Sequence, residues 1–135
     1  MNIVSTFPVT LVFIALLALV QIPMTVAVGL RRLKTETHFL DGGDEMLLKR
    51  MRAHGNFTET VPIVLLAMAA AEYSGAPVAL LWAGGCSLLL GRLVHYGTLV
   101  NSGIGNGRAI GMLLTLTPML VFPGFVLWTL TSTSH

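Results

Sequence analysis

The chain has 135 residues, of which 54% are hydrophobic and only 10% are charged, and its mean hydropathy is +0.80. A soluble domain of this size cannot bury so much apolar surface, because small domains leave a large share of their area in water. The formal net charge of +2 and the lack of a basic patch interleaved with aromatic residues argue against nucleic acid as a partner. We therefore predict an all-α integral membrane protein, whose helices satisfy their backbone hydrogen bonds within the lipid.

The first predicted element is a membrane-spanning helix over residues 7–30. Residues 1–30 carry no charged side chain, and the apolar run is long enough to cross about 30 Å of hydrocarbon at about 1.5 Å per residue. Because no Lys or Arg precedes the apolar run, we interpret it as a retained span and not as a cleaved signal peptide.

A charged segment over residues 31–52 follows, and we expect it to form a loop in water. It holds six of the eight basic residues of the chain, together with four acidic residues. Within it, residues 41–44 (DGGD) are typical of a turn. Asp44 is the predicted N-cap of a second helix that starts at Glu45.

Three further spans are predicted, over about residues 52–73, 78–100 and 109–130, so that the chain is a single four-helix transmembrane domain. The second ends at residues 74–77 (SGAP), and the glycine-rich residues 101–107 separate the third span from the fourth. Cys86 lies in the apolar run of the third span, and we interpret it as a small buried residue.

Glycines recur along the last two spans at spacings typical of close helix packing. The third span contains Gly84, Gly85 and Gly91, and the fourth begins with the GxxxG pair Gly107 and Gly111. Because glycine has no side chain, we expect these positions to let the two helix backbones approach each other.

The basic residues predict the orientation of the chain. All of them lie in the loop between the first and second spans, in the loop between the third and fourth, or in the helix ends beside these loops. By the positive-inside rule, both basic loops are cytoplasmic and both termini lie on the opposite side of the membrane.

Two stripes of polar side chains interrupt the second and third helices. The first consists of Arg52, Asn56 and Glu59, at i, i+4 and i+7, and the second of Arg92, His95 and Tyr96, at i, i+3 and i+4. These spacings place each set on one face of its helix. Ionisable groups at membrane depth are costly and tend to face a partner, a cavity or a site, so the two stripes predict a shared polar cleft near the cytoplasmic ends.

Such a cleft would bind a small anion. It offers Arg52 and Arg92, with Arg31, Arg32 and Arg108 at the flanking helix ends, and arginine binds carboxylates through two parallel hydrogen bonds. Glu59 can hold an ammonium group. A ligand with two carboxylates and one amine is complementary to this set, and glutathione is one such molecule among many. The alternative is purely structural: Glu59 and Arg92 form an ion pair within the bundle.

These residues resemble the signature of the MAPEG superfamily, the membrane-associated proteins in eicosanoid and glutathione metabolism. Residues 52–62 (RAHGNFTETVP) are similar to the Arg, Asn and Glu motif of that family, and residues 91–96 (GRLVHY) to its third-helix motif. The similarity covers nearly the whole chain, including the basic first loop and Arg108 at the start of the fourth helix. It is closest to a short bacterial branch related to microsomal glutathione transferases, and we therefore expect a bacterial inner-membrane location.

The resemblance implies a homotrimer that binds glutathione as co-substrate in a cleft between neighbouring subunits. The residues expected to contact glutathione are Arg52, Asn56, Glu59 and His95, with Arg92 and Tyr96 beside them and with Arg31 or Arg32, as equal candidates, from the first helix. Arg108 is similar to the arginine that holds the glutathione thiolate, and a fixed cation lowers a thiol pKa. The implied activity is that of a glutathione transferase or peroxidase acting on lipophilic electrophiles that arrive from the lipid. No metal site is predicted.

The chain departs from the better-known synthases of this family at two positions. Leu99 stands where they have a tyrosine that contacts glutathione, and Thr60 follows the signature Glu59 where one synthase has an aromatic residue. Two other functions therefore stay open: a non-catalytic lipid-binding or scaffold protein of the same fold, and a small proton-coupled exporter. The exporter requires an acidic residue deep in the first span, which has none.

Overall fold

The structure, a computed structural model, describes residues 2–103 and 105–132. Its helices are α1 (Ile3–Thr6), α2 (Pro8–Thr35), α3 (Glu45–Tyr73), α4 (Val78–Asn101) and α5 (Asn106–Ser132). Since α1 is a single turn, the fold consists of four long helices packed side by side, and no strand occurs in the part of the chain described. The prediction of an all-helical protein is confirmed.

Within residues 2–103 and 105–132, three helices, α2, α4 and α5, are long and apolar enough to cross a membrane. The remaining long helix, α3, has 29 residues, but charged side chains interrupt it from its first turn to its last. They are Glu45, Lys49, Arg50, Arg52, Glu59 and Glu72. The second predicted span, over residues 52–73, thus stays a prediction, whereas the first, third and fourth have the expected length and composition.

The loop after the first span is shorter than predicted. We expected residues 31–52 to lie in water as a loop, with the second helix starting at Glu45 within this segment. The helix start at Glu45 is confirmed, but α2 continues to Thr35, so that the loop covers residues 36–44. The expectation failed because it ended the helix where the charges begin, whereas an α-helix satisfies its backbone hydrogen bonds internally and can continue into water. The helix ends where Glu36 adopts a left-handed conformation, with φ 51°, and its N–H group bonds to carbonyls of the last turn.

Asp44 is the N-cap of α3, as predicted. Its Oδ1 accepts a hydrogen bond of 2.6 Å from the Leu47 N–H group, and its Oδ2 lies 2.7 Å from Arg31 Nη2. The hydrogen bond with the Arg31 guanidinium, followed by that from Leu47, holds the pKa of Asp44 below its ordinary value. One side chain therefore both starts α3 and ties it to the end of α2.

The start of α2 depends on a side chain from the far end of α3. The two carboxylate oxygens of Glu72 accept hydrogen bonds of 2.9 Å and 2.8 Å from the N–H groups of Val9 and Thr10. The first N–H groups of a helix have no partner within the helix. A carboxylate at this end also interacts favourably with the helix dipole. Glu72 thus caps α2, whose own N-cap residue, Phe7, makes no side-chain cap.

Close packing at Gly84 and Gly85 of α4 is confirmed, but at these two positions aromatic side chains fill the space. An added Cβ at Gly85 would stand 2.2 Å from the Phe13 ring, and one at Gly84 would stand 2.3 Å from the Phe122 ring. Both phenylalanines are buried. These glycines therefore leave space for aromatic rings from α2 and α5.

The outer surface of the bundle is apolar, as expected where the surrounding solvent is lipid. Leu19, Leu66 and Leu120 are more than half exposed. Cys86 is also exposed, so the interpretation of this residue as buried is wrong. An apolar neighbourhood predicts burial in a soluble protein, but in a membrane it is equally typical of a lipid-facing surface.

Candidate functional site

A polar cleft of about 520 Å³ lies between α3, α4 and α5, at the end of the bundle where the basic loops lie. It is lined by Leu48, Met51, Arg52, Gly55, Asn56 and Glu59 from α3, by His95 and Leu99 from α4, and by Arg108 from α5. This volume falls in the range of about 300–1,000 Å³ that is common for small-molecule sites.

Five of the predicted site residues line this cleft together. They are Arg52, Asn56, Glu59, His95 and Arg108. Two guanidinium groups face one carboxylate, which gives the lining a net charge of +1 with His95 neutral. This charge and the neutral donors beside it are suited to a small anion that also carries an ammonium group.

The cleft opens toward the loops. A second hollow of about 300 Å³ shares Leu48, Arg52 and Leu99 with it and extends along Lys49 to Ser102 and Gly103. A water-soluble ligand therefore has a route into the cleft from the end of the bundle, without passing through the apolar surface of the helices.

Neither Arg31 nor Arg32 lines this cleft, although Arg32 Nη2 lies 3.3 Å from Sδ of the lining residue Met51. Arg31 is paired with Asp44 through hydrogen bonds of 3.0 and 2.7 Å. Arg32 donates to the carbonyls of Thr37 and His38, at 3.4 and 3.2 Å. Both arginines hold the loop between α2 and α3 in place.

Tyr96 also faces away from the polar cleft. It lines a separate apolar hollow of about 190 Å³ between α2 and α4, together with Val20, Pro23, Met24 and Leu93. Residues 95 and 96 are adjacent in the sequence and thus point about 100° apart around the helix axis. His95 therefore faces the cleft between α3, α4 and α5, while Tyr96 contacts α2.

Arg92 lies behind the wall of the cleft and is only 2% exposed. Its Nη1 donates to Asn56 Oδ1 and, at 3.2 Å, to Thr60 Oγ1. Its Nη2 donates to the carbonyl of Gly111 at 3.4 Å. The proposed structural alternative, an ion pair between Arg92 and Glu59, is not formed: the ion pairs among residues 2–103 and 105–132 are Arg31 with Asp44 and Lys49 with Glu45.

The two departures from the synthase pattern have different consequences. Leu99 lines the cleft and is 8% exposed, so this part of the wall is apolar where the synthases carry a hydroxyl. Thr60 donates to the backbone oxygen of Asn56 at 2.7 Å and accepts from Arg92. The threonine is thus part of a hydrogen-bond network with two predicted site residues.

Sequence reasoning missed Leu48, Met51 and Gly55 as lining residues. Leu48 and Gly55 stand four residues before and three after Arg52, so extending the polar stripe of α3 to its uncharged positions would have found both. An added Cβ at Gly55 would meet only Glu59 Oε1, at 3.9 Å. The glycine therefore leaves space in the cleft.

The lining of the cleft does not resemble a metal-binding site. Across the described residues, no group of three or more His, Cys, Asp or Glu side chains is placed to hold a metal ion. The cleft contributes one carboxylate and one imidazole, and its other polar groups are guanidinium and amide groups. Cations repel a metal ion, so this lining is better suited to an organic anion.

Comparison with known proteins identifies the family. The sequence model of the MAPEG family matches residues 10–128. "Inner membrane protein YecN" of Escherichia coli strain K12 is 33% identical over 88 residues, which cover 65% of this chain and 67% of that protein. The protein of the same name from Escherichia coli O6:H1 matches to the same extent. The chain therefore belongs to the MAPEG family of membrane proteins.

Proposed function

We propose that this member of the MAPEG family is a glutathione-dependent transferase or peroxidase that acts on lipophilic electrophiles. One observation carries the proposal: a single cleft of about 520 Å³ is lined by polar residues from three helices, namely Arg52, Asn56 and Glu59 from α3, His95 from α4 and Arg108 from α5. Their guanidinium, amide and carboxylate groups are complementary to the two carboxylates and the ammonium group of the tripeptide.

Arg108 is the proposed catalytic residue. The thiolate is the reactive form of glutathione, and a guanidinium beside it lowers the thiol pKa and raises the thiolate fraction. In conjugation, the sulfur bonds to an electrophilic carbon and the leaving group departs as an anion. In peroxide reduction, two glutathione molecules are oxidised to the disulfide while the hydroperoxide is reduced to an alcohol and water.

The membrane setting supports a lipophilic second substrate. Three apolar helices of spanning length and the relative described as an inner membrane protein support a multi-pass location in the bacterial inner membrane. With the basic loops in the cytoplasm, glutathione enters the cleft from the cytoplasm, while the second substrate arrives from the lipid between the helices.

A largely apolar groove on α2, with a few polar groups of α2 and α3 beside it, supports the assembly of several copies. Thr25 Oγ1 lies 3.0 Å from His54 Nε2, and Gln21 and Thr25 line an open groove of about 340 Å³. Hydrogen-bonding groups at membrane depth are more stable against protein than against hydrocarbon. We propose that a second copy covers this groove in a homotrimer.

Leu99 favours a second candidate, a lipid-binding or scaffold protein without catalytic activity. An apolar wall in place of a hydroxyl weakens the binding of a polar tripeptide and tolerates an acyl chain. The two functions predict opposite results when glutathione is titrated into the protein, because only the enzyme requires glutathione.

Calorimetric titration of the detergent-solubilised protein with glutathione distinguishes the enzyme from the lipid-binding or scaffold protein. Glutathione binding below millimolar concentration, together with glutathione-dependent turnover of a model aryl halide or a lipid hydroperoxide, is the result expected for the enzyme. Absence of binding heat at millimolar glutathione would favour the second candidate. Light scattering of the same sample tests the trimer, and a monomer at working concentration would contradict it.

A further inference from the structure

Arg92 is a buried cation whose hydrogen-bond partners are all neutral. Its guanidinium nitrogens contact Asn56 Oδ1, Thr60 Oγ1 and the Gly111 carbonyl oxygen. The bonds from one side chain of α4 thus reach both α3 and α5, directly behind the cleft. Burying a charge is costly unless it is well bonded, so this placement needs an explanation beyond neutralising a neighbouring carboxylate.

A guanidinium group can only donate hydrogen bonds, which fixes the direction of every bond in this network. The atom of the Asn56 amide that faces Arg92 must be its oxygen, and the Nδ2 group is therefore turned away from Arg92. The Thr60 hydroxyl accepts from Arg92 and donates to the Asn56 backbone oxygen at 2.7 Å. Neither the Asn56 side chain nor the Thr60 hydroxyl can reverse its polarity while Arg92 is in place.

Asn56 is also part of the cleft lining. An asparagine without such a partner can rotate its amide and present either an acceptor or a donor to a ligand. With its oxygen held by Arg92, the amide can offer the cleft only its N–H groups. The wall then binds ligand oxygens and rejects ligand N–H groups, because a buried donor facing another donor is left without a partner.

We propose that Arg92 is a positioning residue that orients the Asn56 amide, so that this wall of the cleft selects a ligand carboxylate or carbonyl oxygen. Arg92 itself touches no ligand. The assignment of the ligand as glutathione rests on the proposed function, whereas the orientation of the amide by Arg92 does not. The two parts can thus be tested separately.

The orientation is tested without any ligand by NMR of protein labelled with ¹⁵N at asparagine. The chain has Asn2, Asn56, Asn101 and Asn106, so four side-chain amide signals are expected, and the signal lost in Asn56→Asp identifies Asn56. We expect one sharp, well-separated pair of Asn56 amide protons in the wild type and a shifted or broadened pair in Arg92→Met. Arg92→Lys retains a charged donor and should restore part of the wild-type signal. An unchanged Asn56 signal in a folded Arg92 variant would overturn the proposal.

The selection of oxygen is tested by binding glutathione and its two mono-amides, each with one carboxylate converted to a carboxamide. Asn56→Asp keeps an acceptor for Arg92 but turns a second oxygen toward the cleft. We expect it to bind glutathione about tenfold more weakly and to prefer one of the mono-amides, a reversal that a merely structural role would not produce. In turnover, Arg92→Lys should raise the KM for glutathione while kcat changes less than twofold.

The outcomes separate the two proposals. If the wild type binds none of the three tripeptides but the Asn56 amide responds to Arg92 substitution, the positioning role holds and glutathione is the wrong ligand. If the wild type binds glutathione and Asn56→Asp binds it equally well with unchanged preference, the selection of a ligand oxygen by Asn56 is wrong and the enzymatic proposal stands. Should Arg92→Met not fold, Arg92→Lys provides the NMR readout of the Asn56 amide, and Asn56→Asp provides the binding readout.

Discussion

Gly91 and Gly111 lie in contact where α4 crosses α5, so closely that a Cβ added to Gly111 would stand 2.7 Å from the carbonyl oxygen of Gly91. The same added atom would lie 2.7 Å from His95 Cβ. This crossing places His95 on the cleft side of α4 and lets Arg92 reach the Gly111 carbonyl. The geometry of the site therefore depends on two positions that carry no side chain.

Gly111→Ala should destabilise the protein by about 1–3 kcal/mol, because overpacking at a close helix crossing forces the backbones apart. Gly124→Ala is the matched control in the same helix, since an added Cβ there has no atom within 4 Å. The thermal midpoint in detergent is the measurement, and we expect a fall for Gly111→Ala and no fall for Gly124→Ala. Equal midpoints in the two variants would show that the crossing is looser than described.

Gly55→Ala should weaken glutathione binding without weakening the fold. The added methyl group meets only Glu59 Oε1, at 3.9 Å, and it narrows the cleft. Replacing a helical glycine by alanine stabilises a helix by up to about 1 kcal/mol. Gly97→Ala, in α4 with open space around it and outside the cleft lining, is the control. A several-fold loss of calorimetric affinity in Gly55→Ala alone is expected, and equal affinities would place the ligand elsewhere.

Arg108→Ala should abolish most turnover while glutathione binding changes little, since the remaining cleft residues still hold the tripeptide. We expect a loss of kcat of at least about tenfold at neutral pH, where the thiol is then mostly protonated. Raising the pH should restore part of the rate, and Arg108→Lys should retain more activity than Arg108→Ala. Lys34→Ala, on the exposed end of α2, is the control. Unchanged turnover in Arg108→Ala would remove this residue from the mechanism.

Asp44 should make the stability of the α2–α3 connection depend on pH in the acid range. Its folded pKa lies below the ordinary value, chiefly because of the hydrogen bond with Arg31. The stabilisation is therefore fully present above the unfolded pKa of about 3.9 and is lost as the pH falls through the folded pKa. The difference in thermal midpoint between wild type and Asp44→Asn should be largest near neutrality and shrink on acidification. A difference that is constant with pH would contradict this role.

The helix boundaries were predictable where a local signal fixes them. Asp44 caps α3 because its short carboxylate reaches the first free N–H groups, and residues 74–77 end α3 at a glycine and a proline. The end of α2 was not predictable, because charge marks the edge of the hydrocarbon but does not stop a helix. The exposure of Cys86 could not be predicted for a related reason: an apolar run does not distinguish lipid from protein as the neighbour.

The candidate site was predictable as two stripes but not in its detailed geometry. Spacing alone brought Asn56, Glu59 and His95 to one cleft, yet it could not tell which neighbours of α4 each residue would meet. The α4 helix contacts α2, α3 and α5. Because successive residues point about 100° apart around the helix axis, Tyr96 lines the hollow against α2 while His95 lines the cleft. The burial of the Arg92 side chain likewise depends on how closely α4 and α5 cross at Gly111. The sequence pattern of one helix does not reveal this distance.

The carboxylate that caps α2 has a consequence for how the chain is made. Glu72 is 63 residues later than Val9, the first residue whose N–H group it accepts. On the ribosome, α2 is therefore complete long before its cap has been synthesised, and its first turn must wait for the end of α3. The capped start of α2 is thus a property of the α2–α3 hairpin and not of α2 alone.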